Sequence, residues 1–314
     1  LSLLLKSEVY KIEKKIPELT NVYEEMLKSK KTETLGFRGL MEQNLANQDY
    51  HHAFLYGEKL FSINPNIEKL YDTLIYIAAK TKNWNQLIML SDKAYSKKII
   101  DLELSNENKS IGFFEIAKIK SHSDINESIK NITKAINLKK NFPPYIKLHL
   151  ELISNSQNIV TLKKMLKKYW TQCSNSIMRL ILIKIIIDNK LDSLDFINKL
   201  IKNNYDDVES KKMLIFFLIR KEKWEIAREN LKGLIGSNPS REVCKFMSEI
   251  EFGDQNDIQK RDAWIKRSET APLENTWICK ITNKAQDEWS TVSNSGYFNS
   301  LVLSTPIMIN QITN

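Results

Sequence analysis

The sequence predicts an all-α fold, an α-solenoid of stacked helix pairs that ends in a short irregular C-terminal cap. Three observations lead to this prediction. The 314 residues include only 8 glycines and 7 prolines, fewer breakers than the frequent turns of a β-rich fold require. Apolar residues recur at the spacing of amphipathic helices along most of the chain. Two neighbouring helix pairs also repeat at a fixed distance.

The sequence predicts a helical connector over residues 1–31. The apolar run Leu1–Leu5 is followed at once by Lys6, and five residues are too few to cross a bilayer, which takes about 20. The run is therefore either an ordinary first helical turn or the last turn of a membrane helix. A helix is expected from near Lys6 until Pro17 stops or kinks it, and a second helix is expected from Glu18 to Ser29.

Residues 32–271 predict the helix pairs. The first pair surrounds a polar turn at Asn47–Asp49, and the second surrounds a turn at Lys80–Asn83. Ala53 and Leu87 hold equivalent places in these pairs, 34 residues apart. This is the period of the tetratricopeptide repeat (TPR), in which each pair covers the apolar face of its neighbour.

Later pairs follow with less regularity. In the clearest of them, Ala227 precedes Pro239 by 12 residues, as Ala53 precedes Pro65. The predicted pairs are Phe113–Lys120 with Ile125–Leu138, Pro144–Ser154 with Ile159–Tyr169, Ile177–Asp188 with Ser193–Asn203, Ser210–Arg220 with Trp224–Ile235, and Arg241–Gly253 with Ile258–Thr270. The residues expected to define the repeat by packing are Gly39, Leu40, Ala53, Pro65, Trp84, Leu87, Trp224, Ala227 and Pro239.

Residues 272–314 predict the cap, because the helical period ends at Pro272. A turn at Asn294–Gly296 and the β-prone run Leu301–Leu303 indicate two short strands. Trp277 and Trp289 are expected to anchor this tail on the last helices.

Two blocks of residues resemble the bacterial HemY-type TPR family, membrane-anchored proteins associated with late haem (porphyrin) biosynthesis. The similarity covers residues 35–306 and is most specific in the second block. The first block is Phe37-Arg38-Gly39-Leu40 with Asn47-Gln48-Asp49, Ala53 and Asn83-Trp84, and the second is Trp224-Glu225-Ile226-Ala227-Arg228, Asn238-Pro239-Ser240, Met247–Glu251, Trp264, Ala271-Pro272 and Trp277.

The resemblance implies a scaffold anchored in the bacterial inner membrane, with its repeats on the cytoplasmic side and haem-pathway enzymes as partners. It also implies that Leu1–Leu5 is the remnant of the anchor. Some members carry paired Cys-x-x-Cys knuckles in the tail, which suit tetrahedral zinc. Here Thr282 follows Cys279 at the second position, and Ser293 and Ser295 stand near the other pair, so we expect no zinc.

No catalytic signature is present in the sequence. It contains no glycine-rich phosphate loop, no G-x-S-x-G elbow and no H-E-x-x-H helix. The sequence also lacks the dinucleotide-binding fingerprint that a flavin-dependent porphyrinogen oxidase would need. The expectation is therefore a non-catalytic protein without a resident cofactor, in transient contact with haem or porphyrin at most. A TPR adaptor in envelope or lipopolysaccharide assembly is the alternative function.

Charge and scattered polar residues complete the expectations. The net charge of +9 is interpreted as diffuse, without interleaved aromatics, which predicts no nucleic-acid partner. Three isolated cysteines indicate a reducing compartment. His149 is the single candidate haem ligand. Lysines and asparagines of the first helices, within Tyr71–Lys82, Tyr145–Leu152 and Lys211–Arg220, are expected to hold an acidic peptide.

Overall fold

The computed structural model describes residues 2–156, 158–236 and 238–306. These residues form helix pairs followed by a small sheet, so the predicted all-α fold of TPR-like pairs is confirmed. The helices are α1 (Ser2–Ile12), α2 (Ile16–Met26), α3 (Glu33–Ala46), α4 (Tyr50–Ile63), α5 (Leu70–Lys80), α6 (Trp84–Ser96), α7 (Leu102–Lys120), α8 (Ile125–Leu138), α9 (Pro143–Asn155), α10 (Ile159–Gln172), α11 (Ser176–Asp188), α12 (Leu194–Ile201) with a 3-10 turn (Lys202–Asn204), α13 (Val208–Arg220), α14 (Trp224–Ile235), α15 (Arg241–Gln255) and α16 (Ile258–Thr270). The strands are β1 (Thr276–Cys279), β2 (Ala285–Gln286) and β3 (Leu301–Ser304).

The chain divides into two compact units. Unit 1 comprises Leu1–Ile116 and unit 2 comprises Ala117–Asn314. This division falls within α7 rather than at the sequence-based limits after residues 31 and 271, which stay predictions. The connector helices α1 and α2 lie in unit 1, and the tail lies in unit 2.

Three predicted helix boundaries are wrong. The first helix begins at Ser2 rather than near Lys6. Pro17 occupies the first turn of α2 instead of ending the helix before it, because its fixed φ suits that turn and no amide hydrogen is needed there. The helix predicted from Phe113 begins at Leu102. Its first half is rich in serine and asparagine, and the buried Ser105 and Asn108 hide the helical pattern in the sequence.

The second helices of most pairs begin at a polar cap. In each case, a side-chain oxygen accepts a hydrogen bond from the backbone N–H three residues later, which satisfies one of the unpaired amides of the first turn. These caps are Asp49, Asn83, Asp124, Asn158, Ser193 and Asp257. The repeat is thus fixed by a local hydrogen bond as well as by apolar packing.

The repeat residues named from the sequence pack as their types suggest. Four residues after the cap or its equivalent, Ala53, Leu87 and Ala227 are each 0% exposed. A Cβ at Gly39 would clash with the ring of Tyr23, so glycine lets α2 and α3 approach closely. The remaining members range from buried to half-buried: Leu40, Pro65, Trp84, Trp224 and Pro239.

The core of unit 2 runs continuously from α9 to α15 through residues such as Trp170, Leu182 and Phe217. None of the helices formed by the described residues combines the length and apolarity that crossing a membrane requires.

Candidate functional site

The first helices of the pairs in unit 2 form one surface. Helices α9, α11, α13 and α15 contact each other in succession. We call the surface that they present the inner surface of unit 2. It contains two of the three segments from which the sequence predicted a binding face for an acidic peptide.

The tail lies over this inner surface. It forms an antiparallel three-stranded sheet in the order β2-β1-β3, more regular than the predicted cap with two strands. Trp277 pairs with Leu303 and Cys279 pairs with Leu301 across β1 and β3. Because side chains alternate along a strand, these residues share one face, and that face packs against the inner surface.

Aromatic contacts hold the tail in place. The ring centroid of Phe142, at the start of α9, lies 5.8 Å from that of Trp277 and 5.1 Å from that of Trp289. Trp289 also lies 5.9 Å from Tyr145. Both tryptophans therefore anchor the tail, but they reach back to α9. The expectation that they rest on the last helices is wrong, because the apolar surface that can receive them lies near Phe142.

Two ion pairs join the tail to lysines of the inner surface. Lys147 Nζ of α9 lies 2.9 Å from Glu288 Oε1, and this contact lowers the pKa of Glu288. Lys212 Nζ of α13 lies 3.1 Å from Glu274 Oε1. The lysines that were expected to hold an acidic partner thus hold carboxylates of the chain's own tail.

Lys212 belongs to a buried ionic cluster. Arg179 of α11 is 1% exposed and lies 2.8 Å from Glu209 and 2.6 Å from Glu242. Lys212 Nζ lies 3.3 Å from each of these glutamates. Desolvation opposes the charge of Lys212, but the carboxylates outweigh it and raise the pKa of the lysine. The cluster ties α11, α13, α15 and the tail together.

The third predicted segment, in α5 of unit 1, has an open face. Tyr71 is buried and accepts a hydrogen bond from Asn108 at 2.9 Å, so it is not a surface residue. Asp72, Tyr76 and Lys80 are exposed. They follow one another at the i, i+4 spacing, which places them on one face of the helix.

The four tail positions at which a metal knuckle would place its ligands lie together. Thr282 Oγ1 lies 3.0 Å from Ser295 Oγ, and Ser293 Oγ lies 3.7 Å from Cys279 Sγ. Hydrogen bonding with the side chains of Ser300 and Thr282, together with backbone amides, lowers the pKa of Cys279 to about 6. Within the described ranges, no group of three or more His, Cys, Asp or Glu side chains is arranged to hold a metal ion. Contacts of hydroxyl groups therefore join the turn at Cys279–Thr282 to the turn at Ser293–Ser295. In a zinc knuckle, four ligands around a metal ion would join two such turns.

His149 is occupied by a structural contact. Its Nδ1 lies 2.6 Å from the hydroxyl of Tyr169, which we assign as the donor to the neutral ring. Burial, assisted by Lys168, lowers the pKa of His149 to about 4. The sequence-based interpretation of His149 as a candidate haem ligand therefore finds no support in its surroundings.

Two cavities lie beside the tail. One of about 410 Å³ is lined by Arg241, Glu242, Lys245, Leu273, Glu274, Thr276 and Pro306. Another of about 520 Å³ is lined by Thr282, Lys284, Ala285, Gln286, Asn294, Ser295 and Tyr297. Neither wall includes a histidine, cysteine or methionine, and Tyr297 on the wall of the second cavity is of a residue type that can ligate haem iron.

Sequence reasoning missed the ionic cluster and the acidic residues of the tail that complete it. One signal was present, because Arg179 is a single arginine in the otherwise apolar start of α11, S-I-M-R-L-I-L. A buried charge of this kind requires carboxylates nearby. The sequence gives no sign that Glu209 and Glu242 would supply them.

Comparisons with known proteins find similarity only to solved structures, at low sequence identity. No family model matches the chain, and no curated protein matches it. Among solved structures, a tetratricopeptide repeat protein from Parabacteroides merdae is 14% identical, with 79% of this chain and 93% of that chain covered and a TM-score of 0.35. The structure of Naa15/Naa10 bound to HypK-THB is 12% identical, covering 83% of this chain and 40% of that one, with a TM-score of 0.35. The TPR2AB-domain:pHSP90 complex of yeast Sti1 is 11% identical, covering 76% and 98%, with a TM-score of 0.23.

Proposed function

We propose that this chain is a non-catalytic scaffold that holds protein partners, and that the open face of α5 in unit 1 binds them. The observation that carries this proposal is the difference between equivalent first helices. Lys147 of α9 and Lys212 of α13 pair with carboxylates of the tail, whereas Tyr76 and Lys80 of α5 are exposed. TPR-like first helices offer such faces to extended peptides.

The partner that suits this face of α5 is a peptide that offers an apolar side chain to Tyr76 and a carboxylate to Lys80. Tyr76 is 42% exposed and supplies a flat contact area, and Lys80 lies one turn further along the same face. Tyrosine is among the residues that contribute most to protein interfaces. Replacing Tyr76 by alanine should weaken a peptide complex about tenfold.

A photo-crosslinking residue at position 76 would identify the partner in cells, and the purified partner would then be titrated against Tyr76→Ala. Tyr95→Ala is the matched control, because Tyr95 is 44% exposed on α6 of the same unit. Equal affinity for the two variants would contradict the proposed face. A purified chain with a bound yellow chromophore would instead indicate flavin chemistry and contradict the scaffold itself.

We further propose that the partners are enzymes of a late step of haem biosynthesis, at the cytoplasmic side of the bacterial inner membrane. The HemY-type blocks of the sequence support this assignment. In this proposal the link to haem runs through protein contacts with these enzymes. A pull-down without tetrapyrrole enzymes, together with normal porphyrin pools in a depleted strain, would rule it out.

One observation favours the second candidate, an adaptor in envelope or lipopolysaccharide assembly. The turn at Cys279–Thr282 lies against the turn at Ser293–Ser295, with Thr282 and Ser295 in hydrogen-bond contact. Lipopolysaccharide-regulating adaptors of this kind pair their repeats with a C-terminal metal knuckle, whose ligands would stand in two such turns. Altered lipopolysaccharide with unaltered porphyrins in a depleted strain would decide for this candidate.

A further inference from the structure

The positive charge of the chain is concentrated in one stretch. Residues 125–172, which form α8 to α10, contain nine lysines and two glutamates and so carry +7 of the net charge of +9. The interpretation of the charge as diffuse is therefore wrong. The position of these lysines in the fold shows which of them are exposed together on one helix.

Helix α10 carries the densest part of this charge. Its exposed face consists of Val160, Lys163, Lys164, Lys167 and Lys168, which we call the lysine face. At 100° per residue, these side chains lie opposite the buried side of the helix. That buried side is formed by Leu162, Leu166, Tyr169 and Trp170.

The lysine face has no internal counter-charge. Helix α10 contains no acidic residue, and none of its four lysines forms an ion pair with the part of the chain that the structure describes. Lys199 of the neighbouring α12, by contrast, pairs with Asp195 at 2.7 Å. Two i, i+4 pairs within the lysine face, Lys163–Lys167 and Lys164–Lys168, are like-charged, which destabilises an isolated helix. A bound anionic surface would relieve this repulsion.

The composition of the face favours lipid over nucleic acid. Nucleic-acid surfaces use arginine for phosphate and base contacts and exposed aromatic rings for stacking. Helix α10 has no arginine, and its two aromatic residues, Tyr169 and Trp170, are buried. Val160 is 81% exposed at the start of the lysine face. An apolar side chain within a lysine cluster matches a helix that lies on an anionic bilayer surface.

We propose that the lysine face of α10 docks unit 2 onto a membrane surface containing anionic phospholipids. Long lysine side chains reach the headgroup phosphates as point charges, and Val160 enters the boundary between headgroups and acyl chains. This contact requires no membrane-spanning segment. Docking to the membrane is also independent of partner binding, because α10 shares no residue with the proposed partner face of α5.

Vesicle flotation of the purified chain tests the proposal. The probes are vesicles of phosphatidylcholine alone and vesicles containing about one-third phosphatidylglycerol. Binding is expected only to the anionic vesicles and should weaken at high salt. The triple variant Lys164→Gln, Lys167→Gln, Lys168→Gln should bind on the order of 100-fold more weakly, because each lysine near an anionic surface contributes about fivefold.

A charge-matched control separates a local face from net charge. Lys223→Gln, Lys266→Gln and Lys280→Gln together remove the same charge from exposed lysines on three other parts of unit 2. This variant should bind within about twofold of the parent, since its lysines lie outside the proposed face. Equal loss in both variants, or equal binding to neutral vesicles, would overturn the proposal. Tighter binding to single-stranded RNA that displaces the vesicles would also overturn it and assign the face to nucleic acid.

Discussion

Helices α5 and α9 are equivalent first helices in two different units, yet the face of α5 is open and the corresponding face of α9 is covered by the tail. In α5, Tyr76 and Lys80 are exposed, whereas in α9 Tyr145 lies under Trp289 and Lys147 pairs with Glu288. The repeat is the same, with a capped second helix following each of them. What differs is the tail, which occupies the inner surface of unit 2. In this chain, the availability of a TPR-like face depends on what the rest of the chain places over it.

The largest effect should come from the buried ionic cluster that joins the inner surface to the tail. Replacing Arg179 by alanine leaves Glu209 and Glu242 with Lys212 as their shared partner. The loss of one partner from a buried ion cluster should lower the free energy of unfolding by about 3–5 kcal/mol. Urea denaturation followed by tryptophan fluorescence would measure this loss.

The control for the ionic cluster is Lys199→Ala, which breaks an exposed pair with Asp195. Its expected cost is below about 0.5 kcal/mol, because exposed pairs are solvated and screened. If the two variants were equally stable, the cluster would not be what holds the inner surface to the tail.

The second-largest loss of stability is expected from a substitution in the tail, at Trp277. Trp277 is 4% exposed between β1 and the inner surface, and its replacement by alanine should cost about 3 kcal/mol through the cavity that it leaves. The tail should then detach, so hydrogen exchange should rise in β1 and at the start of α9. Tyr297→Ala, at a tail residue that is 43% exposed, is the control. Faster exchange in α5 as well would contradict the distinction between the two units.

The sequence predicted the features that are local. Polar caps such as Asn83 and the 34-residue spacing of Ala53 and Leu87 depend on contacts within one helix pair, and they leave a pattern in the chain. The covered inner surface is not local. Lys147 and Glu288 are 141 positions apart, and either residue alone has the appearance of an ordinary exposed charge. The sequence therefore predicted that first helices form a surface, but it did not predict that the tail covers this surface in unit 2.

The next-largest effect is a pH dependence of the free energy of unfolding that arises in unit 2, at His149. The pKa of His149 falls from 6.5 to about 4 in the folded chain, so the unfolded chain takes up a proton first as the pH falls. The stabilisation is complete above pH 6.5 and is lost on acidification towards pH 4, with about 2 kcal/mol lost by about pH 5. Denaturation of the parent and of His149→Asn across this range would measure it. A variant that kept the same acid-dependent loss would exclude His149 as its origin.

The smallest effect tests whether the repeats of the two units are alike. Asn83 caps α6 in unit 1 and Asn158 caps α10 in unit 2, each by accepting the backbone N–H three residues later, at 3.3 Å and 3.0 Å. Alanine at either position should cost about 1 kcal/mol, and aspartate should restore most of the loss because it also caps. Hydrogen exchange of the first turns of α6 and α10 would report each cap separately. Equal costs would mean that the repeats are equivalent and that the tail makes the difference between the units. A much larger cost at Asn158 would mean that α10 depends on its cap to offset the repulsion within its lysine face.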